Sequence, residues 1–492
     1  MTTPSTPGPM LLAEAAAGRV QARALAEKAA LFDELLGGDI DSAVGDARPD
    51  PAWLRSELRR SRVDDPEGTA ASLTDRYHAL SPPDARVFGV ALVRALAPRG
   101  ALATVPRGNW FSPSEIGVID AMEVPSPSGT RVDLLQAPGQ AIDYRGYLCA
   151  IVKLTRACNL RCSYCHDWRE GKGVTMDLPS LARTVQQTMA SGAGYVEFVW
   201  HGGEPLLVGA RGIVRFLMLQ EHFAPPHTVV SNQVQSNGTV LTDRVRRLLK
   251  LFSLRVSVSL DGPQVIHDAQ RRDKRGAPTW ERVKRGIADL QRDGLLSGVL
   301  MVVSRSVLAL DPALVWAAVV ETGTASVCFL AERPSPGDPV PVTSAEFVEF
   351  LLAIDRVRRR EGSSVAVREL DAVGRLVRGA SGGFCELVGS CIGHYVTIDP
   401  DGTVAHCDKY VGADEFVLGN LGAESLRDIL SGPRVRLLRA RNAQELDAVR
   451  GCRWFDLCQG WCPHERFVDE GYRDRGCCGL EGLFAASVEA VP

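Results

Sequence analysis

The sequence predicts an α/β protein built on a parallel sheet, and three observations predict it. Between residue 147 and about residue 335, six short apolar runs alternate with stretches of helical spacing. The runs are Leu148–Leu154, Tyr195–Trp200, Thr228–Gln235, Leu254–Leu260, Gly298–Val303 and Ser326–Leu330. Helical stretches fall near 177–191, 210–222, 241–252, 279–293 and 311–321. Strands separated by helices of this length pair in parallel through right-handed crossovers. Residues 1–140, by contrast, hold no cysteine and read as a mostly helical accessory domain. Met10 to Leu36 is Ala/Leu-rich at helical spacing, and Asp84 to Leu96 reads as a second helix. A module that recognises a peptide or protein substrate is the sharper reading of this region. Third, the chain from Cys385 onward is dense in cysteine, with a β-hairpin turning at Asp401-Gly402. A chain of 492 residues exceeds one ordinary domain. It divides at 1–140, 147–340, a helical bridge over 341–384, and 385–492.

Composition excludes several classes of function. The chain is 45% hydrophobic and 23% charged, an ordinary globular mix, and 56 basic against 59 acidic residues leave a net charge of −3. That balance gives no reason to expect nucleic acid or an anionic membrane as partner. No apolar run reaches 18 residues, and the start MTTPSTPGPM has neither a basic nor an apolar leader region, so a cytoplasmic location is expected. Thirteen cysteines, an odd number, then argue for metal ligands rather than disulfides. Three of them lie within 158–165 and eight between Cys385 and Cys478, which points to two separate metal-binding regions.

The most informative run is LTRACNLRCSYCHDW, where Cys158, Cys162 and Cys165 form C-x3-C-x2-C directly after the apolar strand YLCAIVKL. Three thiolates on a loop at a strand's end can hold three irons of a 4Fe–4S cube and leave the fourth open. Open and closed zinc sites differ by the same logic. A zinc site or incidental cysteines are the alternatives, although zinc motifs usually come as two C-x2-C pairs.

With Tyr164 before the third cysteine, the triplet resembles the signature of radical S-adenosylmethionine (SAM) enzymes. The resemblance implies a partial (β/α)6 barrel over 147–340, with functional groups at the C-terminal ends of its strands. It also implies an open iron that chelates SAM, whose reductive cleavage gives a 5′-deoxyadenosyl radical. The run WHGGEP follows the triplet by about forty residues and resembles the motif that receives the SAM ammonium, here Gly202, Gly203 and Glu204. By the same resemblance, Ser259 contacts the SAM ribose or carboxylate, and Arg271 pairs the carboxylate as a planar fork. Ser236 and Asn237 in QSNGTVLTD, and Asp261 in VSLDGP, complete the candidate pocket. As lone residues, Ser236, Asn237 and Ser259 are equally at home as turn formers. His166 and Trp168 either line the adenine site or pack.

From Cys385 the spacing resembles the SPASM extension of peptide-modifying radical SAM enzymes, which houses two auxiliary 4Fe–4S clusters. The family's interleaved ligation, carried over, assigns Cys385, Cys391, Cys407 and Cys462 to the first. The second departs from the pattern, because Val449 stands where a ligating cysteine is expected. Cys452, Cys458 and one of Cys477 and Cys478 remain, which implies a three-thiolate site, its fourth iron open or held by a group such as Asp447. Zinc, or no second centre, is the alternative. Asp408, in HCDKY, matches a carboxylate that in sulfatase-maturing relatives takes a proton from the substrate side chain. Its plain alternative is a hairpin cap or an ion pair.

These features imply a maturase that oxidatively modifies a ribosomally made peptide or a protein, supplied with electrons by a flavodoxin or ferredoxin. A cyclophane-type cross-link is the first expectation. The others are a formylglycine-forming sulfatase-type maturase, a small-molecule dehydrogenase or epimerase with Cys328 as hydrogen-atom donor, and an iron–sulfur electron carrier. The GGEP and SLDG motifs count against a carrier, which needs no SAM pocket.

Overall fold

The computed structural model describes residues 105–125, 146–165, 173–225, 228–332, 342–380, 391–410, 412–468 and 471–489, with isolated positions elsewhere that include Asp167 and 385–387. The helix expected at 84–96, most of that at 10–36, and His166 and Trp168 lie outside the described residues.

By internal contacts the chain forms two units. One comprises Met1–Val124, Gly209–Phe223 and Thr242–Ser253. Where described, it is helical. The helix Pro113–Asp120 starts at Ser112, whose hydroxyl accepts from the Glu115 N–H while the Glu115 carboxylate reaches back to the Ser112 N–H. Arg215, on the helix Gly209–Phe223, pairs with Glu115 at 2.7 Å. Two helices expected inside the alternating βα series, Gly209–Phe223 and Asp243–Leu251, thus belong by contact to this first unit.

The second unit holds the sheet. Its strands are β1 (Tyr147–Thr155), β2 (Leu160–Cys162), β3 (Tyr195–Gly202), β4 (Val229–Ser236), β5 (Arg255–Ser259), β6 (Arg271–Asp273), β7 (Leu296–Val303), β8 (Ser326–Ala331), β9 (Ala366–Val367), β10 (Tyr395–Ile398), β11 (Thr403–His406) and β12 (Val417–Asn420). Ten of them form one sheet in the order β12-β11-β10-β1-β3-β4-β5-β7-β8-β9, and β2 pairs with β6 apart from it. All six expected strands are present, and they are parallel to their neighbours. The fold is therefore mixed α/β with a mostly parallel sheet.

Two features were not readable from apolar periodicity. The hairpin of the cysteine-rich region does not stand alone. Its strand β10 pairs in parallel with β1, from Cys149 opposite Tyr395 to Val152 opposite Ile398, so one sheet runs through both regions. The short β2–β6 ladder sets Cys162 opposite Arg271. Both are pairings between segments distant in sequence, which local pattern does not encode. Among the described residues, no helix is long and apolar enough to cross a membrane.

β3 shows how the core is held. Its inward residues Val196, Phe198 and Trp200 are fully buried. Phe198 and Trp200 stack at 5.3 Å, and the Trp200 indole donates to Asn232 Oδ1 on β4 at 2.7 Å. Phe198→Ala removes the stack and opens a cavity. We expect a loss of about 3–5 kcal/mol, read as a lower denaturant midpoint.

Candidate functional site

The cysteine triplet sits on the loop that leaves β1, and three sets of backbone contacts fix that loop. Gly203 N–H donates to Thr155 O at 2.7 Å and Glu204 N–H to Ala157 O at 2.9 Å. Ser163 N–H donates to Gln270 O at 2.9 Å, beside the β2–β6 ladder. Both glycines of GGEP are required by this approach. A Cβ on Gly202 (φ +125°) would stand 2.2 Å from Thr155 O, and one on Gly203 would stand 2.3 Å from Ala157 O.

Glu204 is fully buried and ties three segments together. One carboxylate oxygen accepts from Leu206 N–H and Ser236 Oγ, both at 3.0 Å, and the other from Asn237 N–H at 2.7 Å. Burial pushes its pKa up to about 7, and these hydrogen bonds oppose the rise. Asn237 in turn donates to Asn159 Oδ1 at 2.9 Å and approaches Cys158 Sγ at 3.8 Å. Ser236, Asn237 and Glu204 thus serve as a clasp between the β3 and β4 ends and the cysteine loop.

Asp261 and Arg271 make a second clasp. Asp261 accepts from Arg271 at 2.8 and 3.1 Å, from the Tyr164 hydroxyl at 2.5 Å and from Val302 N–H at 3.1 Å. The Arg271 guanidinium lies over the Tyr164 ring and reaches to 4.0 Å from Cys162 Sγ. The fork expected to face a ligand carboxylate is occupied by Asp261, a partner inside the protein. Ser259, partly exposed at the end of β5, accepts from the Gln235 amide at 3.0 Å.

Cys158, Cys162 and Cys165 lie within electrostatic reach of one another, and Leu160 N–H donates to Cys158 Sγ at 3.3 Å. Burial pushes the Cys158 thiol up to about 11 and that of Cys162 up to about 12. Ligation must therefore displace protons. Three neighbouring thiols with no fourth suit a cluster with an open iron.

Cys385, Cys391, Cys407 and Cys462 form a second group, each coupled electrostatically to the others. Cys391 stands just before β10 and Cys407 just after β11, so the hairpin brings them together. Lys409 lies 3.7 Å from Cys462 Sγ and pairs with Glu386 at 2.6 Å and Glu465 at 3.1 Å. Four thiols beside a lysine suit an anionic four-thiolate cluster. In the last group, Cys452 meets Cys477 and Cys458 meets Cys478, each pair at 3.6 Å. Asp447 is not among them. Its largely exposed carboxylate pairs with Arg450 at 3.1 Å.

Asp408 follows Cys407 and faces the strand ends. Its carboxylate is 2.5 Å from Lys153 Nζ on β1 and 3.9 Å from His201 Nε2 on β3. Burial alone would raise its pKa, but Lys153 and then His201 outweigh that and hold it well below the usual carboxylate range. Lys153 is fully buried and also pairs with Asp167 at 2.6 Å. Asp167 is shared with Arg156, which reaches Asp399 at 2.5 Å. Sequence reasoning missed Lys153, Arg156, Asp167 and His201. The available signal was a lysine inside the otherwise apolar run YLCAIVKL, since a buried cation needs a partner. Cys328 sits on β8, its thiol pushed well up by burial.

The arrangement is that of a parallel α/β sheet whose strand ends carry an open three-thiol site, flanked by further thiol groups. Residues 152–307 match the radical SAM superfamily, and residues 390–459 match SPASM, an iron–sulfur cluster-binding domain. The chain carries both domains, and its cofactors are S-adenosylmethionine and iron–sulfur clusters. It is similar to a serine-type anaerobic sulfatase-maturating enzyme of Klebsiella aerogenes, 29% identical over 338 residues, 67% of this chain and 82% of the relative. A cysteine-type anaerobic sulfatase-maturating enzyme of Clostridium perfringens is 24% identical over 323 residues, 62% of this chain and 85% of the relative. Among solved structures, native anSMEcpe with bound AdoMet and Cp18Cys peptide superimposes with a TM-score of 0.60 at 22% identity. That match covers 70% of this chain and 98% of the other, and it shows the fold.

Two outcomes follow. Gly203→Ala should cost about 1–3 kcal/mol and displace the cysteine loop, so the reconstituted variant should carry about four fewer irons by chemical analysis. Glu204 has a folded pKa of about 7 against 4.5 in an unfolded chain, so its ionisation disfavours the fold. Its contribution is best below about pH 4.5 and declines as pH rises through about 7. Glu204→Gln should flatten that stretch of a stability-against-pH profile measured by denaturant midpoint.

Proposed function

We propose that this chain is a maturase that oxidises a Ser or Cys side chain in a peptide or protein substrate to an aldehyde, the formylglycine-forming reaction of the sulfatase-maturating type. The observation that carries this reading is Asp408, a carboxylate set against Lys153 and His201 at the same strand ends from which the cysteine loop departs. Similarity to maturases of both the serine and the cysteine type supports it. So does a neighbouring fold that holds AdoMet and a peptide together.

Such an oxidation removes one hydrogen atom, one electron and one proton from the substrate residue, which turns a serine directly into the aldehyde; from a cysteine the same loss gives a thioaldehyde, which water converts to the aldehyde with release of hydrogen sulfide. With SAM and its clusters bound, the site supplies a 5′-deoxyadenosyl radical for the hydrogen atom and an iron–sulfur acceptor for the electron. The chain's own residues do the rest. Gly202 and Gly203 keep the β3 end close enough to the cysteine loop for backbone groups to meet SAM, and Ser259 with Gln235 offers polar atoms beside it. Arg271, through Asp261 and Tyr164, holds the loop in register.

Asp408 receives the proton from the substrate hydroxyl or thiol. Lys153 keeps it ionised and so makes it a weak base. That suffices, because a hydroxyl on a carbon that has lost a hydrogen atom is far more acidic than an ordinary alcohol. A reductant of the flavodoxin or ferredoxin type would deliver the initiating electron.

Asp408→Asn should leave SAM cleavage intact but slow aldehyde formation by at least about 10²-fold, measured by hydrazide capture of the product. Aldehyde formation at the wild-type rate would return Asp408 to a purely ion-pairing role. A carbon–carbon cross-link, the other outcome open to a peptide radical, yields no carbonyl, so the same capture separates the two reactions.

A further inference from the structure

His201 stands near the end of β3, across the ladder from Lys153 and just before Gly202, the first glycine of the turn assigned to SAM. Its ring is fixed in one protonation pattern. Gly202 N–H donates to His201 Nδ1 at 2.7 Å, and a backbone N–H can only donate, so Nδ1 carries no proton. In a neutral imidazole the ring proton then lies on Nε2. Burial holds the His201 pKa below its ordinary value, with Lys153 and Arg156 pushing the same way against Asp408 and Asp167. The imidazole is therefore neutral near pH 7, and Nε2 is a donor only.

That N–H has room before it. Nε2 faces Asp408 Oδ2 at 3.9 Å, beyond hydrogen-bond reach, and the two side chains are 25% and 29% exposed. Two hydrogen bonds of about 2.8 Å that meet near a right angle span about 4 Å. One oxygen set between the two side chains thus bonds to both. Asp408, held ionised by Lys153, only accepts, and His201 Nε2 only donates. An atom in this gap must therefore donate to one side and accept from the other. A hydroxyl does both. A thiol donates weakly, and its sulfur is a weak acceptor.

We propose, resting on the maturase reading above, that His201 Nε2–H binds the side-chain oxygen of a substrate serine while Asp408 takes its proton, and that this donor makes the site select a hydroxyl over a thiol. The hydrogen atom leaves the side-chain carbon for the 5′-deoxyadenosyl radical, and the hydroxyl proton passes to Asp408. The remaining electron passes to an iron–sulfur acceptor as the carbon–oxygen bond becomes double. Once the proton has left, negative charge sits on the oxygen until the electron follows. A positioned N–H stabilises that charge without reorganisation. His201 itself exchanges no proton, because Gly202 N–H keeps Nδ1 engaged and Nε2 already carries one. A cysteine sulfur gains little from the same donor.

The test uses the full reconstituted chain and two synthetic peptides, identical but for a single Ser or Cys. Aldehyde is measured by hydrazide capture, and kcat/KM for each peptide is compared in wild type, His201→Leu and His201→Gln. Gln keeps an N–H near the place of Nε2, and Leu has none. The readout is the Ser-to-Cys ratio of kcat/KM within one protein, which a loss of folded or loaded enzyme does not move. Wild type should prefer Ser. His201→Leu should lower the ratio at least about tenfold, and His201→Gln should recover most of it. A ratio unchanged in His201→Leu, a ratio lowered equally by His201→Gln, or a wild-type preference for Cys overturns the proposal and leaves the maturase reading standing. Aldehyde from neither peptide, with 5′-deoxyadenosine still formed, overturns that reading and the proposal with it.

Discussion

The close approach of two backbones governs this site. Gly202 and Gly203 run against Thr155 and Ala157 with no room for a Cβ, and the N–H groups of residues 203 and 204 bond to the carbonyls opposite. That contact sets the path of the loop bearing Cys158, Cys162 and Cys165. The Glu204 clasp and the Asp261–Arg271–Tyr164 clasp then fix the loop from two further sides. A three-thiol site needs such support, because its geometry must hold while one metal corner stays available to a ligand.

One buried cation links this loop region to the cysteine-rich domain. Lys153 sits between Asp167, just beyond the triplet, and Asp408, just beyond Cys407. Pairing of β10 with β1 makes this possible, since it lays the hairpin directly beside the strand that carries Lys153. Lys153 is fully buried, so each carboxylate offsets part of its desolvation, and the pairing of β10 with β1 holds Asp408 against it. The result is a carboxylate presented at the strand ends by the domain that also carries the additional thiol groups.

Much of this was legible in the sequence, and the reasons are physical. The six strands declared themselves because each is a short apolar run between turn residues, and the triplet did so because ligand spacing on one loop is a local property. The set Cys385, Cys391, Cys407 and Cys462 came from resemblance, and the structure does bring those thiols together. Contacts across distance were not legible. β10 against β1, β2 against β6, and Lys153 between two aspartates all join residues that no local period relates. Arg271 was read as a fork for ligand because its internal partner, Asp261, could not be seen from ten residues away. Cys477 and Cys478 meet different partners, Cys452 and Cys458, two contacts between segments that no local period relates.

Everything at these strand ends serves Cys158, Cys162 and Cys165, the thiols assigned to the cluster that cleaves SAM. The direct measurement is 5′-deoxyadenosine formed by the reconstituted, reduced protein with SAM, in wild type and with all three cysteines replaced by alanine. Wild type should form the nucleoside and the variant none, while the variant still binds iron at the other thiol groups. Equal yields from both proteins, or none from a fully loaded wild type given a peptide bearing Ser or Cys, would contradict it.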